Sequence, residues 1–209
     1  MKLTKPSFNI VIPKDIGQIF KKDRKKFSGR LSELLRTNKI ASLRLTASDL
    51  NQNEIIEIID HIKKISKNNI PILLENRIEL AVQLKVDGVH LTDGQKRVKA
   101  AKSLLSRDQV IGSFCGSSKH SGLVASEHGA NYIAFKTDFK SKQANKEITD
   151  LFKWWADFIE IPIMGEWADN YLISKNIWKY CDFVSLKNEI WCPEISIDSI
   201  FSPFTFTTN

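Results

Sequence analysis

The sequence predicts a (βα)8 barrel in one domain, and three observations carry that prediction. Short apolar runs recur at regular spacing through the 209 residues, segments of helical periodicity separate them, and no further domain's worth of sequence remains. The stretch Ile70–Gln95 (IPILLENRIELAVQLKVDGVHLTDGQ) shows the repeating unit most clearly. Ile70–Leu74 is an apolar run too compact for a helix, Ile78, Leu80, Ala81 and Leu84 recur near helical spacing, and Gly88–Leu91 turns apolar again. A helix so close to both strands implies a right-handed crossover between parallel neighbours. An open doubly wound sheet is the alternative architecture.

Eight strands are expected in order: Phe8–Pro13, Ile40–Thr46, Ile70–Glu75, Gly88–Thr92, Val110–Cys115, Tyr132–Lys136, Ile161–Gly165 and Phe183–Leu186. Helices are expected between them at Arg30–Arg36, Asn53–Lys67, Gln95–Ser106, Ser117–His128, Lys146–Phe158 and Asn170–Tyr180. The clearest is Asn53–Lys67, where Ile55, Ile56, Ile58, Ile59, Ile62 and Ile65 form an apolar stripe and Lys63, Lys64 and Lys67 cover the rest. Trp154 and Trp155 belong with Phe152 and Phe158 to an amphipathic helix and are expected to pack rather than bind. Lys140–Asn145 reads as a polar loop on the face where active-site loops of barrels gather. Phe201–Asn209 is short for an eighth helix, which predicts a truncated closing element around Ile197–Phe201 and a loosely held end.

Composition bounds the function. With 42% hydrophobic and 26% charged residues the chain is an ordinary globular protein, long enough for one buried core. No apolar run approaches the roughly 18 residues of a membrane span, and MKLTKPSFNI lacks the apolar core of a secretory signal, so a cytoplasmic protein is expected. Cys115, Cys181 and Cys192 lack metal-type spacing and are expected as reduced thiols. Cys115, near a strand end, is a packing residue before it is a nucleophile. The net charge of +7 includes a dense run, Lys21, Lys22, Arg24, Lys25 and Lys26. Scattered lysines and no RNA-binding aromatic signature favour a solvated face over a nucleic-acid partner, and an anionic small substrate accounts for positive charge equally well. A homodimer is the default assembly.

Five phrases in register carry a family resemblance from about residue 40 to 190. Asp87-Gly88-Val89-His90-Leu91, Ile111-Gly112, Gly129-Ala130-Asn131-Tyr132-Ile133, Ile161-Pro162-Ile163 and Cys181-Asp182-Phe183-Val184-Ser185 resemble strand phrases of thiamine phosphate synthase and its TenI-like relatives. The resemblance implies a cytoplasmic transferase of thiamine biosynthesis. Such an enzyme couples a pyrimidine diphosphate to a thiazole phosphate, with Mg2+ and a pyrophosphate cradle at the C-terminal mouth of the barrel. Expelling pyrophosphate demands fixed positive charge and a metal on the leaving group.

Carried over position by position, the resemblance gives an altered site. Of the family's QLREK phrase the residues Ser42-Leu43-Arg44-Leu45-Thr46 keep only Arg44, either the candidate pyrophosphate grip or an arginine paired to a neighbouring carboxylate. The family's metal-binding Asn-Asp pair aligns with Glu75 and Asn76, and its next acidic residue aligns near Gln95; Glu75 with Asp93 is the oxygen pair left to rebuild a site. Phe114-Cys115-Gly116-Ser117 replaces the S-x-H-T phrase, so Ser117 is a candidate while the family's serine and histidine are gone; His120 reads as a surface residue and His90 as a hydrogen-bonded core histidine. After strand six, Lys136 offers an anion contact, and Asp138 and Phe139 follow it. Trp167-Ala168 replaces the glycine pair that admits phosphate, and Asn188, beside Lys187, replaces a serine. Trp167 and Phe139 are expected to fill the mouth rather than stack on a heterocycle. The substrate-binding candidates are therefore Arg44, Glu75, Asn76, Asp93, Gln95, Ser117, Lys136 and Asn188, with no metal ligand and no catalytic residue assigned.

Three functions fit this sequence. The chain is a divergent synthase or TenI-like enzyme acting on a phosphorylated heterocycle; or an inactive pseudoenzyme serving as a binding or regulatory module; or a barrel enzyme of other specificity with a mouth rebuilt around Glu75, Asp93, Asp138 and Glu166.

Overall fold

The computed structural model describes residues 6–13, 15–37, 39–46, 48–67, 69–137, 142–166 and 175–204. Eight parallel strands close on themselves in sequence order, which excludes the open sheet. They are β1 (Ser7–Ile12), β2 (Ile40–Leu45), β3 (Ile72–Glu75), β4 (Gly88–Leu91), β5 (Val110–Phe114), β6 (Tyr132–Lys136), β7 (Ile163–Glu166) and β8 (Phe183–Leu186). Between and after them lie α1 (Ile16–Lys22), α2 (Arg24–Leu35), α3 (Gln52–Ser66), α4 (Ile78–Gln83), α5 (Val98–Leu104), α6 (Lys119–Glu127), α7 (Lys142–Phe158), α8 (Lys175–Trp178) and α9 (Ile197–Phe201). Single 3-10 turns cover Gly94–Arg97, Asn188–Trp191 and Ser202–Phe204.

Each strand sends alternate side chains to opposite faces. On the outer face Ile10, Ile12, Leu43, Leu45, Leu74, Val89, Ile111, Ile133 and Ile163 pack beneath the helices in one continuous core. Inside, Leu73, Tyr132, Ala134 and Met164 form a separate apolar cluster, so the barrel is plugged rather than open. Helix ends are set locally. Asn51 and Glu54 form a reciprocal capping box at the start of α3, and Asp23 accepts from the Lys26 amide at the start of α2.

Several expectations need correction. The helix placed at Arg30–Arg36 begins at Arg24, and α1 precedes it unforeseen, because the lysines of residues 21–26 obscure the buried spacing of Ile16, Phe20, Phe27, Leu31 and Leu34. Part of that basic run is structural: Lys21 pairs with Glu54 and Arg24 with Glu57, clamping α1 and α2 to α3. The loop expected at Lys140–Asn145 is helical from Lys142 onward. Of the helix expected at Asn170–Tyr180, Lys175–Trp178 is seen and residues 170–174 lie outside the described residues. Of the end expected to be loose, Phe201–Asn209, the part through residue 204 is packed, and residues 205–209 lie outside the described residues. Ile197, Ile200, Phe201 and Phe204 are buried, and the Phe8 ring meets those of Phe201 and Phe204 at 4.6 and 5.0 Å.

Candidate active site at the barrel mouth

On β2, Leu43 and Leu45 join the outer core, and Arg44, between them, turns inward with 1% of its surface exposed. Glu166, the last residue of β7, meets it with both oxygens: Nη2 donates to Oε1 at 2.7 Å and Nη1 to Oε2 at 3.0 Å. The same carboxylate lies 3.3 Å from Lys187 Nζ and 3.2 Å from His90 Nε2. Glu75, ending β3, places Oε2 3.5 Å from Arg44 Nε and accepts from Thr46 Oγ1 at 3.5 Å. Two carboxylates thus surround one guanidinium, and a lysine caps the cluster from β8's end.

Beneath the cluster, His90 Nδ1 and Tyr132 Oη are 2.7 Å apart. His90, Gly112 and Tyr132 are register neighbours on β4, β5 and β6, and the tyrosine ring crosses the place where a Cβ of residue 112 would stand, 2.0 Å from its Cζ. Glycine at 112 is therefore what lets the ring reach His90. Asn9 donates to Ser42 Oγ at 2.7 Å, and its Oδ1, together with Ser185 Oγ, is buried without a protein partner.

The electrostatics follow from this packing. Burial opposes charge on Glu166, but Arg44 and His90 outweigh it and hold the carboxyl well below its ordinary range. Burial and the Arg44 charge push His90 down from 6.5 to about 4, so the imidazole is neutral near pH 7. Burial also pushes the Glu75 carboxyl up against the pull of Arg44, and the Glu166 carboxylate adds to the rise. The Cys115 thiol is raised by burial, which makes it inert packing.

The predicted residues separate into distinct places. Arg44 and Glu75 come together with Glu166, His90, Tyr132 and Lys187. Asn76, held at φ 59°, is instead occupied at the rim: its amide nitrogen donates to Thr92 Oγ1, and its Oδ1 accepts from the Thr92 amide and from Arg97. Asp93 receives Arg97 Nε at 2.6 Å on Oδ2, and its Oδ1 is buried without a hydrogen-bond partner. Gln95 accepts from Ser121 on α6, Ser117 is exposed in the turn after β5, and Asn188 is exposed at the start of its 3-10 turn. Lys136 ends β6 beside Glu166 in register and is exposed. Asp138, Phe139, Trp167 and Ala168 lie outside the described residues. Sequence patterning marked Arg44 and Glu166 separately; nothing local marked them as a pair, since they are 122 residues apart.

These residues do not fit Mg2+. A hard cation needs several free oxygens in near-octahedral array. Glu166 is spent on Arg44, Glu75 stands 3.5 Å from the same guanidinium, Asn76 Oδ1 and Asp93 Oδ2 are tied to Arg97, which leaves Asp93 Oδ1 as a lone buried oxygen, and no group of three or more His, Cys, Asp or Glu side chains suited to a metal occurs among the described residues.

Fold and mouth together define a (βα)8-barrel protein with a compact, charge-paired site at the C-terminal ends of its strands. Residues 17–165 match the family model described as thiamine monophosphate synthase, and the chain belongs to that family. It is 28% identical over 176 residues to the thiamine-phosphate synthase of Erythrobacter litoralis, covering 79% of this chain and 82% of the relative. It is 27% identical over 195 residues to that of Hyphomonas neptunium, covering 83% and 86%. Among solved structures, thiamine phosphate pyrophosphorylase from Pyrococcus furiosus superposes with a TM-score of 0.70 at 15% identity, covering 96% of this chain and 92% of that one. A 3-dehydroquinate dehydratase from Geobacillus kaustophilus also reaches 0.70 at 11% identity, covering 96% and 90%. At such identities the superpositions show the fold alone. Among the described residues no helix is long and apolar enough to cross a membrane.

Proposed function

We propose that this barrel holds a small phosphorylated heterocycle at its mouth and moves a proton on it through Glu75, without metal and without expelling pyrophosphate. The observation that carries this reading is the state of Arg44. Its guanidinium is taken bidentately by Glu166 and flanked by Glu75, so the charge that would grip a leaving diphosphate is already neutralised. The phosphorylated heterocycle is supplied by the family, whose name concerns thiamine phosphate.

Glu75 suits proton transfer. Its side chain is 19% exposed, so a ligand can reach it, and its raised affinity for protons moves it toward neutral pH, where a general acid–base works best. The Glu75 carboxylate accepts a proton from one ring atom and returns it to another, so atoms balance with no co-reactant. Arg44 attracts Glu75 from 3.5 Å, Thr46 donates to it, and Lys187, 32% exposed, faces the ligand's negative charge. The Tyr132–His90 contact closes the floor against water.

Two assays test this. Incubation with a pyrimidine diphosphate, a thiazole phosphate and Mg2+ is expected to yield no thiamine phosphate. Incubation of the thiazole phosphate alone in D2O is expected to exchange a ring proton, followed by NMR, and Glu75→Gln is expected to abolish the exchange. Formation of thiamine phosphate, exchange that survives Glu75→Gln, or binding without exchange would each overturn the proposal.

A further inference from the structure

A cavity lies outside the barrel wall, between α1, α2 and the Asn188–Trp191 turn. It has a volume of about 300 Å³ and walls formed by Pro13, Ile16, Ile19, Phe27, Trp191 and Pro193. This size is at the small end of ligand pockets. Its aromatic wall is fixed in place. Trp191 Nε1 donates to Val11 O at 2.7 Å, and the Phe27 and Trp191 rings stack at 5.3 Å and 18°.

The charges on the lining are unequal in availability. Arg30 is 7% exposed and spends its guanidinium on Ile190 O and Ile195 O, each at 2.8 Å, and on Glu33 at 3.0 Å. It is a staple holding the 3-10 turn to α2. Lys26 is exposed on the same lining, the lining carboxylate Glu33 is held by Arg30, and Glu194, exposed and accepting from the Cys192 thiol at 2.9 Å, is close enough to Lys26 for the lysine's charge to help lower its carboxyl. Of the basic run at residues 21–26, Lys21 and Arg24 face α3 and Lys26 faces this cavity.

We propose that this cavity is a second small-molecule site, for a flat, largely apolar ligand with one negative charge, its ring against Trp191 and its charge toward Lys26. The site communicates with the mouth through the 3-10 turn. Trp191 ends that turn, and Lys187, the residue before it, reaches Glu166 at 3.3 Å. A ligand that presses on Trp191 therefore presses on the element that positions Lys187.

Indole-3-acetate and the uncharged 3-methylindole are suitable probes, titrated calorimetrically and by amide NMR into the intact protein. Indole-3-acetate is expected to bind saturably and to shift the Trp191 and Lys187 amide resonances. Lys26→Gln, an exposed and structurally mild change, is expected to weaken indole-3-acetate by about fivefold and to leave 3-methylindole unaffected. Ile19→Trp, which fills the cavity, is expected to abolish both. Absence of saturable binding, shifts confined to the mouth, an equal effect of Lys26→Gln on both probes, or no effect of Ile19→Trp in a variant that remains folded would each overturn the proposal.

Discussion

Arg44 and Glu166 form a buried, two-pronged ion pair across the inside of the barrel, with contacts of 2.7 and 3.0 Å. The carboxylate takes both terminal nitrogens of the guanidinium, so Arg44 meets a protein anion rather than solvent. Lys187 and the neutral His90 complete its surroundings, so Glu166 behaves as a resident anion.

Removing that anion leaves Arg44 buried and uncompensated. Glu166→Ala is expected to cost about 3–5 kcal/mol in urea unfolding, since stranding one partner of a buried pair is far worse than replacing both. A loss below about 1 kcal/mol would mean that Arg44 is solvated or finds another partner.

The cluster makes the fold acid-labile. His90 has its proton affinity lowered from 6.5 to about 4, so the unfolded chain binds a proton that the native state refuses across that interval. Stability is therefore lost as pH falls from 6.5 toward 4, on the order of 3 kcal/mol. Glu166, also depressed, adds a further loss once pH drops below its ordinary value of 4.5. Unfolding midpoints measured against pH are expected to fall across this window, and His90→Gln is expected to flatten the segment above pH 4.

Gly112 is expected to resist substitution. A Cβ there would stand 2.0 Å from Tyr132 Cζ and 2.2 Å from its Oη, and the ring has no room to retreat inside the packed cluster of Leu73, Ala134 and Met164. Gly112→Ala is expected to destabilise by about 1–3 kcal/mol or more, read from thermal unfolding. An unchanged midpoint would show that the ring does not cross β5 as described.

Magnesium is expected to leave the protein's stability unchanged. Thermal midpoints in EDTA and in millimolar MgCl2 should coincide, because Asn76 Oδ1 and Asp93 Oδ2 are committed to Arg97 and the described residues bring no three His, Cys, Asp or Glu side chains together for a metal. A clear rise with magnesium would mean that these contacts open to form a metal site.

Much of the fold was legible because strands buried on both faces read as short continuous apolar runs; Tyr132–Lys136 and Phe183–Leu186 fall where expected. Helix α1 was not, because Lys21 and Lys22 sit on a face that contacts α3 or solvent and dilute the signal of Ile16 and Phe20. The site was legible only in part. Arg44 was marked as the residue kept from the family's second-strand phrase, and Glu75 by alignment with the end of its third strand. The pairing with Glu166 and the Tyr132–His90 contact depend on closure of the barrel and on the missing Cβ at 112, which no local pattern encodes.

Titration of pyrophosphate into the unaltered protein and into Glu166→Gln, each with and without Mg2+, decides whether Glu166 keeps Arg44 from gripping a diphosphate. The unaltered protein is expected to show no saturable binding, and the variant, its resident negative charge removed and Arg44 left uncompensated, to gain it. Saturable, magnesium-dependent binding by the unaltered protein would contradict the account.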